Sequence, residues 1–192
     1  MIVFTSATAS YLPQVAVLAK SVRQHHPSWH FVLVLVERDS CAAVDLIPEI
    51  DEVVLASSLQ IPNFEPWVFG HDVVEACTAV KGAALLALLN RGDDVLYIDP
   101  DVRLYGPLLS VVETLERASI ILTPHLRLPN SVPEMVSIRE VTQLSYGTFN
   151  LGFLGVRNDS VGLDFAKWWS DRLYLYCFDD PASGLFTDQK WI

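Results

Sequence analysis

The sequence predicts an α/β fold in a single domain, with a mainly parallel central sheet flanked by helices. Three observations predict it. Val95, Leu96, Tyr97 and Ile98 form a continuous apolar run of strand length, the pattern of a strand buried on both faces. Residues 2–5, 11–26 and 31–36 read as strand, helix and strand, a unit that closes as a right-handed parallel crossover. Of the 192 residues 51% are hydrophobic and only 19% charged, enough apolar material for one large core and too little charge for disorder.

The elements follow in order. In the first helix Leu12, Val15, Leu18, Ala19 and Val22 recur at helical spacing, and Pro27 stops it. The loop before it, residues 5–10, is built from small side chains at the end of the first strand. It reads either as a plain βα turn or as a seat for a nucleotide base and ribose, since small residues let a ligand approach the backbone. Residues 41–50 read as a short helix or loop and 53–55 as a third strand. Pro62, Pro66 and Gly70 mark a loop around Asn63, Phe64 and Glu65. Residues 72–90 carry a strong helical signal, capped by His71 or Asp72, with Val74, Cys77, Val80, Ala84, Leu85 and Leu88 on its apolar face. Beyond the central strand, 105–107 is a turn, 108–117 a short helix, 119–122 a strand and 123–130 a loop containing His125. Residues 133–144 read as a helix with Pro in its first turn. Residues 149–156 form a strand with two glycines, a mark of close approach to the backbone. A helix capped by Asn158 or Asp159 runs to Cys177, and its aromatic face (Phe165, Trp168, Trp169, Tyr176) reads as core rather than as a sugar platform. Thr187 reads as an N-cap, with Asp188 and Gln189 in a first turn. That helix has hardly begun at Ile192, so the chain is read as one domain lacking its C-terminal part.

Net charge is −10 with no run of Lys or Arg, which disfavours nucleic acid and anionic membranes as partners. No apolar stretch is long enough for a membrane span, and the N-terminus does not resemble a signal peptide. Three scattered cysteines without a C-x-x-C pair point to a reducing compartment, the cytoplasm.

The chemistry-bearing residues cluster after the apolar run. Asp99 and Asp101 flank Pro100 at the carboxyl end of the central strand, where open α/β sheets bind ligands. Asp-Pro-Asp is good turn chemistry. It is also a pair of hard oxygen donors suited to Mg²⁺ or Mn²⁺, with phosphate oxygens completing the shell. Lys81, alone in an apolar helix, reads as a snorkelling side chain or as a point charge for a diphosphate. Asn150 reads as a turn cap or as a hydrogen-bonding partner for a sugar hydroxyl.

Taken in order, these stretches resemble the retaining GT-A glycosyltransferases related to glycogenin and the bacterial lipopolysaccharide galactosyl- and glucosyltransferases, a family 8-like pattern. The resemblance runs from the loop before Tyr11 through Lys81, Asp99 and Asp101, and residues 149–153, to Asp188 and Gln189. It implies a UDP-sugar donor, a saccharide or other hydroxyl acceptor, and Mn²⁺ or Mg²⁺ on Asp99 and Asp101. It implies that Thr5, Ala7 and Tyr11 contact the uridine and that Lys81 lies near ribose or diphosphate. Asn150, Asp188 and Gln189 would face the donor sugar, with Asp188 or Gln189 stabilising an oxocarbenium-like centre. The family usually adds a third metal ligand, a His beyond the Asp-Gln element, whereas all five His here lie earlier. The first loop also lacks the family's Asn or Asp. Two alternatives stand beside this reading. One is a haloacid-dehalogenase-type phosphohydrolase, whose nucleophile motif residues 97–102 resemble. The other is a non-catalytic nucleotide-sugar-binding module.

Overall fold

The computed structural model describes residues 1–192. Strand β1 (Ile2–Ala7) leads through a short 3-10 turn into helix α1 (Leu12–His25), and β2 (His30–Leu35) and β3 (Glu52–Leu55) follow. Helices α2 (Phe64–Phe69) and α3 (Val73–Leu89) precede the central strand β4 (Val95–Ile98). Then come α4 (Leu109–Leu115), β5 (Ile120–Pro124), α5 (Pro133–Met135), a π-helical turn (Val136–Val141), α6 (Thr142–Tyr146), β6 (Phe149–Val156) and α7 (Ser160–Tyr176). No helix is long and apolar enough to cross a membrane.

The six strands lie in the order β3-β2-β1-β4-β6-β5. β3, β2, β1 and β4 are mutually parallel, and β6 runs antiparallel to both β4 and β5. This reversal matters for the site. The start of β6 falls on the same rim as the ends of β1 and β4, and the Asp99 amide donates to the Gly152 carbonyl at 2.9 Å.

Period-two alternation divides the core between the two sheet faces. Phe4, Val32, Tyr97 and Leu154 pack with Leu85 of α3 and Trp169 of α7 on one face. Val3, Phe31, Leu33, Leu96 and Ile98 pack with Leu18 of α1 and Leu115 of α4 on the other. Both faces of β4 are buried, as its apolar run predicts.

Three local expectations need correction. Residues 64–69 form a helix, not a loop: Pro66 lies in the first turn, where its missing N–H costs nothing, and Trp67 Nε1 anchors the helix to the Tyr174 carbonyl at 2.8 Å. Val74 points to solvent at 64% exposure. On α7, Trp169 is fully buried but Trp168 and Tyr176 stay 38% and 46% exposed, so only half of the aromatic face is core. The caps of α3 and α7 are among those the sequence offers. Asp72 and Glu75 form a reciprocal capping box on α3, and Asp159 accepts from the Gly162 amide on α7.

Helices α3 and α7 meet at Gly82, where a Cβ would lie 2.6 Å from the Ser170 Cα. Backbone, not a flexible side-chain tip, blocks that space. Gly82→Ala is therefore expected to destabilise the fold by about 1–3 kcal/mol through forced helix separation, read as a lowered urea midpoint. Its neighbour Lys81 makes this contact relevant to the site.

Candidate functional site

A cleft of about 390 Å³ opens at the carboxyl rim of the sheet. Four segments and the 188–189 turn build it. Ser6, Ala7, Thr8 and Tyr11 come from the end of β1 and the loop after it; Cys77, Thr78 and Lys81 come from α3. Tyr97, Asp99 and Asp101 come from the end of β4, and Asn150 and Gly152 from the start of β6. Asp188 and Gln189 close the ring.

Lys81 is the electrostatic centre. It is 3% exposed, so it does not snorkel. Its Nζ lies 2.8 Å from Asp188 Oδ2, 3.2 Å from Asp99 Oδ1 and 4.2 Å from the centre of the Tyr97 ring. Burial pushes its pKa down, but Asp188, then Tyr97 and Asp99, more than reverse this and hold it well above the usual lysine value. Lys81 is a permanent cation that binds two carboxylates from distant parts of the chain.

Asp99 is oriented from behind. The Tyr97 hydroxyl donates to its Oδ1 at 2.5 Å, and Lys81 contacts the same oxygen. Burial, assisted by Asp99, pushes the Tyr97 phenol well above its usual pKa against the opposing pull of Lys81, so the phenol keeps its proton and remains a donor. With Oδ1 doubly engaged, Oδ2 is the free donor. A Cβ at Gly152 would stand 3.0 Å from it and 2.8 Å from Asn150 Oδ1, so glycine keeps this corner open. Asp101 is exposed and lines the same cleft.

No group of three His, Cys, Asp or Glu side chains comes together, and none of the five histidines lines the cleft. Two carboxylates with a free oxygen fit a small hard cation that keeps substrate oxygens and waters in its shell, and do not fit an all-protein cage.

The other predicted residues fall as follows. Ala7 and Tyr11 line the cleft, with Tyr11 47% exposed. Thr5 does not: it is fully buried within β1, and Ser6, on the opposite strand face, reaches the cleft instead. Asn150 does not cap a turn: it lies within β6, where its Oδ1 accepts from the Gly152 amide at 2.8 Å while the side chain lines the cleft. Thr187 is not an N-cap. Its φ of 43° lies in the left-handed region, an uncommon conformation for a β-branched residue, and its hydroxyl donates to Asp188 Oδ1 at 3.3 Å. Asp188 is 3% exposed, and Gln189 opens a 3-10 turn, Gln189–Trp191.

No protein-family model matches the chain. It is similar to the uncharacterized protein YfnF of Bacillus subtilis (strain 168), 29% identical over 126 residues. That match covers 64% of this chain and 41% of YfnF, so the chain spans about two fifths of this relative's length. The crystal structure of the galactosyltransferase LgtC, in complex with donor and acceptor sugar analogues, superposes with a TM-score of 0.58 at 19% identity, over 98% of this chain and 72% of LgtC. The bifunctional glycosyltransferase WbbM superposes at 0.57 with 14% identity, over 98% of this chain and 36% of WbbM. The chain has the GT-A fold. In this GT-A fold the cleft occupies the carboxyl rim of the parallel strands, where ligands of open α/β sheets bind.

The GT-A sheet also brings in residues that sequence reasoning missed. Glu37 Oε1 accepts from the Ala9 amide at 2.8 Å and pins the small-residue loop. Its place in the polar exit of β2, next to β1, was the available signal. Ser6 Oγ donates to the Cys77 carbonyl at 2.7 Å, tying β1 to α3 across the cleft floor. Tyr97 read only as a member of an apolar strand.

Proposed function

We propose that this chain is the nucleotide-sugar-binding catalytic domain of a glycosyltransferase that moves a hexose from a UDP-sugar to a hydroxyl acceptor, with retention at the anomeric carbon. One observation carries the reading. Asp99 and Asp101 share a single cleft with the small-residue loop, Asn150, Asp188 and Gln189. The GT-A fold supports it and favours transfer over the phosphohydrolase alternative.

Asp99 and Asp101 would hold Mn²⁺ or Mg²⁺, which supplies Lewis-acid stabilisation of the departing diphosphate. Tyr97 and Lys81 keep the Asp99 carboxylate turned for that task. The backbone of the loop around Ala7, with Tyr11, receives the base. Asn150 offers its free amide N–H groups to sugar hydroxyls. Asp188, held by Lys81, places fixed negative charge beside the cleft, and Gln189 adds an amide dipole; together they stabilise positive charge developing at the anomeric carbon.

Incubation with a panel of UDP-sugars tests the reading. UDP release is expected in Mn²⁺ but not in EDTA, and Asp101→Ala abolishes it. Phosphatase turnover without any nucleotide requirement moves the reading to the phosphohydrolase. UDP-sugar binding with no turnover moves it to a binding module.

A further inference from the structure

Gln189 and Lys190 do not hang free from the end of the site. Lys190 Nζ donates to the carbonyls of Leu144 and Ser145 at 2.8 and 2.9 Å. Gln189 Nε2 donates to the next carbonyl, Tyr146, at 3.2 Å. Two adjacent side chains thus satisfy three consecutive carbonyls at the end of α6, groups a helix terminus leaves without partners. The ammonium also carries the charge that a helix C-terminus favours. Gly147 follows, with φ of 123°, and a Cβ there would lie 2.6 Å from the Gln189 carbonyl oxygen and 2.8 Å from its Cγ. The Tyr146 ring meets Phe186 edge-on, with ring centres 4.9 Å apart.

We propose that Lys190 is a positioning residue: with Gly147 it latches the end of α6 to the 188–189 turn and fixes which end of the Gln189 amide faces the donor sugar. The logic is one of donors and acceptors. A backbone carbonyl accepts only, so Tyr146 must face the Gln189 NH₂ group. That leaves Oε1, the electron-rich end, as the group Gln189 offers to the cleft it lines. Without Lys190 the end of α6 loses two of its three partners, and the carbonyl that sorts the amide is no longer held in place. Gln189 can then present NH₂ to the cleft, which repels a centre gaining positive charge. Thr187, strained immediately before the 188–189 turn, shows that the surrounding packing holds this turn in a conformation its own sequence disfavours.

The inference rests on the transferase reading, and the test separates the two. Lys190→Met, Lys190→Arg and the wild type are compared for Mn²⁺-dependent UDP affinity by calorimetry and for UDP-sugar turnover. In Lys190→Met, UDP affinity is expected to stay within about twofold while kcat falls by about tenfold or more at little-changed donor KM, because only orientation at the reacting centre is lost. Lys190→Arg, which can still donate to both carbonyls, recovers most of kcat. Hydrogen exchange checks the latch itself: amides of 142–150 and 186–192 lose protection together in Lys190→Met. Unchanged kcat, or unchanged exchange, in Lys190→Met overturns the latch. A wild type that binds no UDP in Mn²⁺ overturns the transferase reading beneath it, and the inference with it.

Discussion

Lys81→Met is expected to destabilise the protein by about 3–5 kcal/mol, the range for breaking a buried ion pair from one side. Methionine fills much the same volume, so the loss is electrostatic. Asp188, 3% exposed, is left as an uncompensated buried carboxylate, and Asp99 Oδ1 loses one of its two donors. For a chain of this size the change corresponds to a drop in Tm of about 6–20 °C, measurable by calorimetry or urea unfolding. The pH dependence has a definite sign. Wild-type Lys81, with its pKa raised on folding, contributes fully below the unfolded lysine value and loses that contribution only as pH rises through the higher folded one. The wild type therefore gains nothing from Lys81 titration between pH 5 and 8. Adding Asp188→Asn to Lys81→Met is expected to recover a large part of the lost stability, as coupled neighbours do. A double variant no more stable than Lys81→Met contradicts the pairing.

Asp99→Asn is expected to leave the fold intact and lower Mn²⁺-dependent UDP affinity by about a hundredfold or more, a loss of the size seen when a metal's protein ligand or its support is removed. The reason is specific to this carboxylate. Asparagine still presents an oxygen to the Tyr97 hydroxyl and to Lys81, so the inner contacts survive. The outer position becomes NH₂, which donates and cannot ligate a cation. Tyr97→Phe makes the complementary change, sparing both oxygens but releasing the inner one. It is expected to weaken the same affinity by about tenfold. An Asp99→Asn protein that binds UDP as the wild type does in Mn²⁺ contradicts the proposed role.

Much of the architecture was legible because local signals and tertiary outcome agree. The apolar run at Val95 is a doubly buried strand, Asp72 and Asp159 cap the helices their positions announce, and the strand over 149–156 matches to the residue. What was not legible depended on partners far along the chain. Pro66 looks like a breaker until its helix begins two residues earlier. Lys81 looks solvent-bound until Asp188 arrives from the far end of the sequence to neutralise it. Thr5 and Ser6 are equivalent as small polar residues, and only the face of β1 packed against α3 decides which one reaches the cleft. Thr187 has the chemistry of a cap, but the turn it precedes demands a left-handed backbone. The carboxylate pair was visible as a motif; the Tyr97 hydroxyl that turns one of its members was hidden inside an apolar strand.

The central claim is that Asp99 and Asp101 together hold a divalent cation that receives a nucleotide diphosphate. Calorimetric titration of UDP into the wild-type chain, once with Mn²⁺ and once with EDTA, tests it most directly. The account predicts saturable binding with Mn²⁺ and affinity weaker by about a hundredfold or more in EDTA, where the carboxylates repel the diphosphate. Equal affinity under both conditions would contradict it.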